Sequence, residues 1–140
     1  MGGDNHIKIR AVIDSVGHYL PEHALDNKSL AQKVDTSDEW IKQRTGIKQR
    51  YIAAKDETTS DMALRAAQHA LSESHMRASD IDAVIVATTT PDRTFPAVAT
   101  TVQHKLGTSL SGFAFDVQAV CSGFVYAMSV ANAMIISGQV

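Results

Sequence analysis

Apolar positions along this chain recur with two periods, and their order predicts alternating strands and helices. Ile7 to Val16 reads as a strand, with Ile7, Ile9, Ala11 and Ile13 on one face and Lys8, Arg10 and Val12 between them. Gly17 and Pro21 end it in a loop, after which Asn27 can cap a short helix through Leu30 and Val34. Thr36-Ser37-Asp38-Glu39 reads as a capping box: the Thr36 hydroxyl bonds the backbone N–H of Glu39, whose side chain reaches back. Gly46 supplies the stop of that helix. Arg50 to Ala53 reads as a second short strand or extended segment, and Thr59 or Ser60 then caps a longer helix. Its stripe is Met62, Ala63, Ala66, Ala67, Ala70 and Leu71, with Arg65, Gln68 and Glu73 outside it.

Ile81 to Thr88 is a nearly continuous apolar, β-branched run, the pattern of a strand covered on both faces in a parallel sheet. Pro91 and Pro96 bracket a loop, and Val98, Val102 and Leu106 mark a helix that Gly107 ends. Phe113 to Val117 is a second short buried strand, leading directly to Cys121 and an apolar helix that stops at Gly138. This alternation predicts a layered α/β domain with helices on a mostly parallel sheet and the Cys121 helix buried within it. The pattern halts two residues past a helix stop, where such a sheet normally continues, so the chain reads as the first part of a larger domain.

Bulk composition narrows the function classes. The 140 residues are 44% hydrophobic and 20% charged, an ordinary globular balance. A formal net charge of -2, with Lys and Arg dispersed, gives no field for nucleic acid. One cysteine excludes an internal disulfide framework and a CxxC metal or redox pair, and it fits a reducing, cytoplasmic setting. The N-terminus lacks a signal pattern, and His6 breaks the myristoylation motif that Gly2 opens. No residue from Val117 to Val140 is charged, yet Gln118, Ser122, Ser129, Asn132 and Gln139 and the lack of basic flanks favour a buried soluble helix over a membrane span.

Cys121 is the one candidate nucleophile that position singles out. A strand-to-helix junction sets a side chain outside the carboxyl end of the sheet, where open α/β folds place their sites. A helix N-terminus lowers a thiol pKa from about 8.5 and so favours the thiolate, which attacks thioesters readily. The Cys121 backbone N–H can serve an oxyanion, and Gly123 lets a ligand or backbone come close. Against this stands the commoner fate of a lone cysteine, an inert buried thiol. Trp40 and Arg44, four apart on one helical turn, share a face that suits an adenine ring and phosphates; a core Trp beside a solvated Arg is the plainer alternative.

The motifs around these residues decide between the alternatives. Asp38-Glu39-Trp40-Ile41, Arg44-Thr45-Gly46-Ile47, Arg50 and Ile52-Ala53 resemble the N-terminal signature of β-ketoacyl-acyl carrier protein synthase III. Ile85-Val86-Ala87-Thr88, Phe95-Pro96, Ala114-Phe115-Asp116-Val117, Cys121-Ser122-Gly123-Phe124 and Tyr126-Ala127 follow in the same order, from about Ile7 to Val140. The resemblance implies a thiolase-like layered fold made of two similar α/β halves, of which this chain is the first. It implies that Cys121 takes an acetyl or other short acyl group from coenzyme A. Malonyl-acyl carrier protein then decarboxylates and attacks the acyl-cysteine in a Claisen condensation that starts fatty-acid synthesis. It further implies that Trp40 stacks on the adenine with Arg44 as its partner, and that Thr36 and Thr45 stand beside the nucleotide. Phe95 is implied to cross a homodimer interface and line the partner's acyl pocket.

The histidine and asparagine that complete a Cys-His-Asn triad in the family have no match here. His6, His18, His23, His69, His75 and His104 occupy none of those positions, so the 140-residue chain alone is expected to be inactive. His18, Glu22 and His23 lack metal-ligand spacing, and no metal or cofactor beyond the coenzyme A thioester substrate is expected. There is no GxGxxG or P-loop. Two rival readings remain: a relative using another acyl starter for a secondary metabolite, and a half-chain that only binds coenzyme A or a partner.

Overall fold

In the computed structural model, which describes residues 10–109 and 111–140, the chain divides into two compact units. One is Tyr19–Thr58; the other joins the described residues up to His18 with Thr59–Val140.

The smaller unit is built on an antiparallel pair of which the sequence announces only the second strand, near Arg50 to Ala53. Strand β1 (His23–Asp26) pairs with β2 (Gln49–Ile52), His23 opposite Ile52 and Asp26 opposite Gln49. Helix α1 (Asn27–Ala31) is capped by Asp26, whose carboxylate accepts from Ser29 N–H at 2.7 Å, and not by Asn27 as expected. Asn27 is instead buried in the first turn, where its Nδ2 donates to Asp38 Oδ1 (2.9 Å) and to the Ile47 carbonyl (2.7 Å). The buried amide thereby ties the start of α1 to two later segments and satisfies its own donors.

Helix α2 (Asp38–Thr45) starts one residue later than the capping box requires. Ser37 is the cap, accepting from Trp40 N–H at 3.1 Å, so the pairing of Thr36 with Glu39 is not formed. Ser and Thr are both competent caps, and the extended backbone of Ser37 decides between them. Gly46, at φ 73°, closes the helix in the left-handed conformation as expected. Ile41 faces the core of this unit.

The larger unit holds α3 (Thr59–Ser72), β3 (Ala83–Ala87), α4 (Val98–Leu106), β4 (Phe113–Val117) and α5 (Gly123–Ile136). Strands β3 and β4 are parallel, Ala83 opposite Phe113 and Ala87 opposite Val117, with α4 as the crossover. This is the predicted α/β layering with a parallel sheet. Val98, Ala99 and Val102 of α4 form its driest core, and Gly107 ends α4 at φ 74°.

Two expectations change in this unit. Ile7 to Ile9 lie outside the described residues, and Arg10–Val16 forms no strand. Its alternation finds no ladder partner among the described residues; the segment is pinned to α3, where Ser15 Oγ donates to the Ala70 carbonyl at 2.8 Å. Helix α5 also differs from a helix buried on all sides. Gly123, Ala127 and Met134 pack inward, while Phe124, Val125 and Tyr126 stand exposed. Its lack of charge therefore marks an apolar outer face, and no helix among the described residues is long and apolar enough to cross a membrane.

Candidate active site

Cys121 follows β4 within a single 3-10 turn, Val120–Ser122, immediately before α5. Its side chain is exposed, beyond the carboxyl ends of the two parallel strands. The turn is closed by Ser122 N–H donating to the Ala119 carbonyl at 3.0 Å. Val120, just before the cysteine, has φ 46°, a left-handed conformation that a β-branched residue rarely adopts. The strain sits at the chain's one thiol, where held backbone geometry fixes the direction of a side chain.

Gly123 packs against the end of β3, the second of the two approaches expected of it: a Cβ there would lie 3.4 Å from Ala87 Cβ, so α5 sits close on that strand. With the helix seated so, its positive end points at the Cys121 turn. Phe124 and Tyr126 add exposed aromatic surface on the same turn of helix.

Trp40, Arg44, Thr36 and Thr45 belong to the other unit. The Arg44 guanidinium carbon lies 5.3 Å from the centre of the Trp40 ring, within cation–π range. Trp40 is 54% exposed, so its plate faces solvent rather than filling a core. Thr36 Oγ1 is buried and has no hydrogen-bond partner. Thr45 is different: its hydroxyl donates to the Ile41 carbonyl (2.7 Å) and accepts from Ile47 N–H (3.1 Å), so it serves the end of α2. At the start of α2, Lys42 Nζ donates to Asp38 Oδ2 at 2.6 Å. That bond first, and the Asn27 bond second, hold the Asp38 carboxyl below its ordinary value.

Phe95 lies in the loop before α4, joined to Pro96 by a cis peptide bond, and is 85% exposed. Among the described residues no three His, Cys, Asp or Glu side chains gather as a metal-binding group. His18 and His69 instead pair with each other, rings edge-to-face at 4.7 Å, His18 N–H donating to His69 Nδ1.

Two residues near the site escape sequence reasoning. Val120 carries no signal, because backbone strain has no composition. Asp116 reads as a lone charge in an apolar strand, yet its two oxygens accept from Val98 N–H and Ala99 N–H, each at 2.8 Å. A charged residue inside a buried run is the signal that could have flagged it.

Comparison with known proteins places these features. A family profile described as 3-oxoacyl-[acyl-carrier-protein (ACP)] synthase III matches residues 115–140, which include Cys121. A beta-ketoacyl-[acyl-carrier-protein] synthase III of Dinoroseobacter shibae is 61% identical over 93% of this chain, and the match covers 40% of that protein. The chain thus spans about two-fifths of the length of the curated relatives it matches. The crystal structure of 3-oxoacyl-[acyl-carrier-protein] synthase III from Aquifex aeolicus superposes with a TM-score of 0.83 at 47% identity, over 91% of this chain and 41% of that one. A priming beta-ketosynthase from the R1128 polyketide pathway gives 0.83 at 36% identity, over 90% and 37%.

Proposed function

We propose, for a chain whose sequence and fold match the N-terminal part of the β-ketoacyl-acyl carrier protein synthase III family, that it is the nucleophile-bearing part of a decarboxylating condensing enzyme. The observation that carries this is the placement of Cys121, exposed on a strained turn between the parallel pair and α5.

In this reading the Cys121 thiolate attacks the thioester carbonyl of a short acyl-coenzyme A. The tetrahedral oxyanion collapses, the carbon–sulfur bond to coenzyme A breaks, and coenzyme A leaves as its thiolate to take up a proton. Decarboxylation of malonyl-acyl carrier protein then yields a carbanion, which attacks the acyl-cysteine and releases Cys121. Trp40 stacks on the adenine and Arg44 pairs with the phosphates; the exposed Trp40 plate with Arg44 beside it supports this. Thr36 has a hydroxyl that no protein group uses, but the oxygen is buried, so a place beside the nucleotide would require that segment to open. Thr45 fits less well, its hydroxyl being engaged by the backbone. Phe95 and the exposed face of α5 suit a homodimer in which Phe95 lines the partner's acyl pocket. The lone cysteine suits a reducing cytoplasm, and no metal or redox cofactor enters this scheme.

The test is covalent. A full-length enzyme carrying this sequence, incubated with acetyl-coenzyme A, gains the mass of an acetyl group on the peptide containing Cys121, and its Cys121→Ser variant does not. An acyl group carried by another residue and surviving Cys121→Ser would overturn the assignment. The rival starter for a secondary metabolite is separated by offering longer and branched acyl-coenzyme A donors in the same experiment.

A further inference from the structure

The loop from β3 to α4 is tied at both ends by carboxylates that cap neighbouring helices. At its start Asp92 Oδ1 accepts from Ser60 N–H at 3.0 Å, in the first turn of α3. Two hydroxyls reinforce that end. Thr59 Oγ1 donates to the Thr90 carbonyl at 2.6 Å, and Thr88 Oγ1 accepts from Thr90 N–H at 3.1 Å. At the other end the Asp116 carboxylate straddles the first two amides of α4, Oδ2 on Val98 and Oδ1 on Ala99. Val98 and Ala99 are almost completely buried, so this cap is shielded from water. Phe95 lies between the two ties and is itself exposed.

No residue beside α4 supplies its cap: Ala97, at the cap position, has no side-chain oxygen. The start of α4 therefore depends on a strand residue distant in sequence. That same strand, β4, delivers the turn holding Cys121. We infer that Asp116, aided by Asp92, is a positioning residue that sets Phe95 on its loop and thereby limits the acyl group accepted in the pocket that Phe95 lines in the second protomer of the dimer. The inference rests on the proposed role of Phe95 at the acyl pocket. Its physical basis is that a bidentate carboxylate on two buried amides fixes both the axis and the rotation of the helix start. A loop held at both ends has few ways to place the side chain between them.

The test uses a full-length enzyme carrying this sequence with Asp116→Asn, which keeps one acceptor oxygen, Asp116→Ala, which keeps none, and Asp92→Asn at the other end. Amide hydrogen exchange and acylation of Cys121 by acetyl- and hexanoyl-coenzyme A are read on each. Faster exchange confined to residues 93–99 is expected in both Asp116 variants. The hexanoyl-to-acetyl acylation ratio is expected to rise by about tenfold, more in Asp116→Ala than in Asp116→Asn. Equal loss with both donors and an unchanged ratio, the mark of a merely structural role, overturns the inference. If the unaltered full-length enzyme takes no acyl group from either donor, the proposed function falls. Exchange then decides alone, and unchanged exchange at 93–99 in Asp116→Asn overturns the positioning role. Asp116→Asn and Asp92→Asn keep the test in force where Asp116→Ala fails to fold.

Discussion

Arg44 holds its guanidinium 5.3 Å from the centre of the Trp40 ring, one turn further along the same helix. Because Trp40 is half exposed, removing the ring alters little packing but deletes a flat stacking surface. Trp40→Ala is expected to weaken coenzyme A binding by about 1–3 kcal/mol, the usual worth of a base on an aromatic plate, measured by calorimetry. Its melting temperature should stay close to the parent's. In a turnover assay of the full-length enzyme the Michaelis constant for the acyl donor rises more than kcat falls. A fall in kcat alone would assign Trp40 a different role.

Asn27 joins the start of α1 to Asp38 and to the Ile47 carbonyl from a position only 1% exposed. Asn27→Ala leaves those acceptors facing a small void. It is expected to cost about 1–3 kcal/mol in chemical denaturation. Asn27→Asp is expected to cost more, since a second carboxylate then faces Asp38 and a carbonyl oxygen.

Acid should act through Asp38 and Asp80. The Asp38 carboxyl is held below 3.8, first by the Lys42 hydrogen bond and then by the Asn27 bond. Asp80 is lowered to about 2, chiefly by the Arg77 side chain and then by the Arg77 backbone N–H. A folded pKa below the unfolded one means stability that is fully present above the ordinary value and lost as pH falls through the folded value. Asp38→Asn and Asp80→Asn should therefore be less stable than the parent above about pH 5, by a constant margin. Their curves should converge with the parent's below 3.8, later for Asp80 because its loss runs down to about 2. Curves that stay parallel through acid would remove both carboxylates from the account.

Glycines separate strain from crowding. A Cβ on Gly17 would lie 2.3 Å from both the Ala66 carbonyl oxygen and the Ala70 amide nitrogen of α3. Backbone cannot give way as a side-chain tip can, so Gly17→Ala is expected to lose about 1–3 kcal/mol and to free the segment before His18 from α3. Gly107→Ala meets nothing within 4 Å, and its cost of about 1–2 kcal/mol comes from φ 74° alone. Thermal melting separates the global losses, and proteolysis of the N-terminal segment should rise only in Gly17→Ala.

Val120 should separate stability from reactivity. Glycine there relieves left-handed strain of about 1–3 kcal/mol and costs about 0.5–1 kcal/mol of backbone entropy. Since Val120 is exposed, little burial is lost, and Val120→Gly is expected to melt at or above the parent temperature. Acyl transfer to Cys121 should slow, because the turn no longer holds one direction. Unchanged transfer would show the strained geometry to be incidental.

The sequence announced the elements that bury themselves and missed those that depend on partners. The β-branched run at Ile81 to Thr88 and the apolar Phe113 to Val117 became β3 and β4, since continuous hydrophobicity marks parallel strands, although both are only partly buried among the described residues. The stops at Gly46 and Gly107 were legible because only glycine adopts their backbone cheaply. Strand β1 was not: His23-Ala24-Leu25-Asp26 has no alternating burial to read and is fixed by pairing with β2. Nor were the caps at Ser60 and Val98, whose acceptors Asp92 and Asp116 lie far along the chain. At the candidate site, ordered motifs singled out Cys121, Trp40 and Arg44, and the structure has the first exposed on its turn and the other two within cation–π range. The 3-10 turn, the strain at Val120 and the exposed face of α5 were not, because they follow from how β4 hands over to the helix.

The ladder from Ala83–Phe113 to Ala87–Val117 also bears on how the chain acquires its structure. Every rung joins residues separated by a whole crossover helix, so no rung can form as a local hairpin does. The entropy of closing that loop must be met before any pairing rewards it. Helix α4 cannot form early to shorten the search, since Asp116, which completes its first turn, arrives with β4 itself. Assembly of β3, α4 and β4 should therefore be a single concerted event of high contact order, slow beside helix formation. During synthesis the turn bearing Cys121 acquires its direction only after that event has taken place.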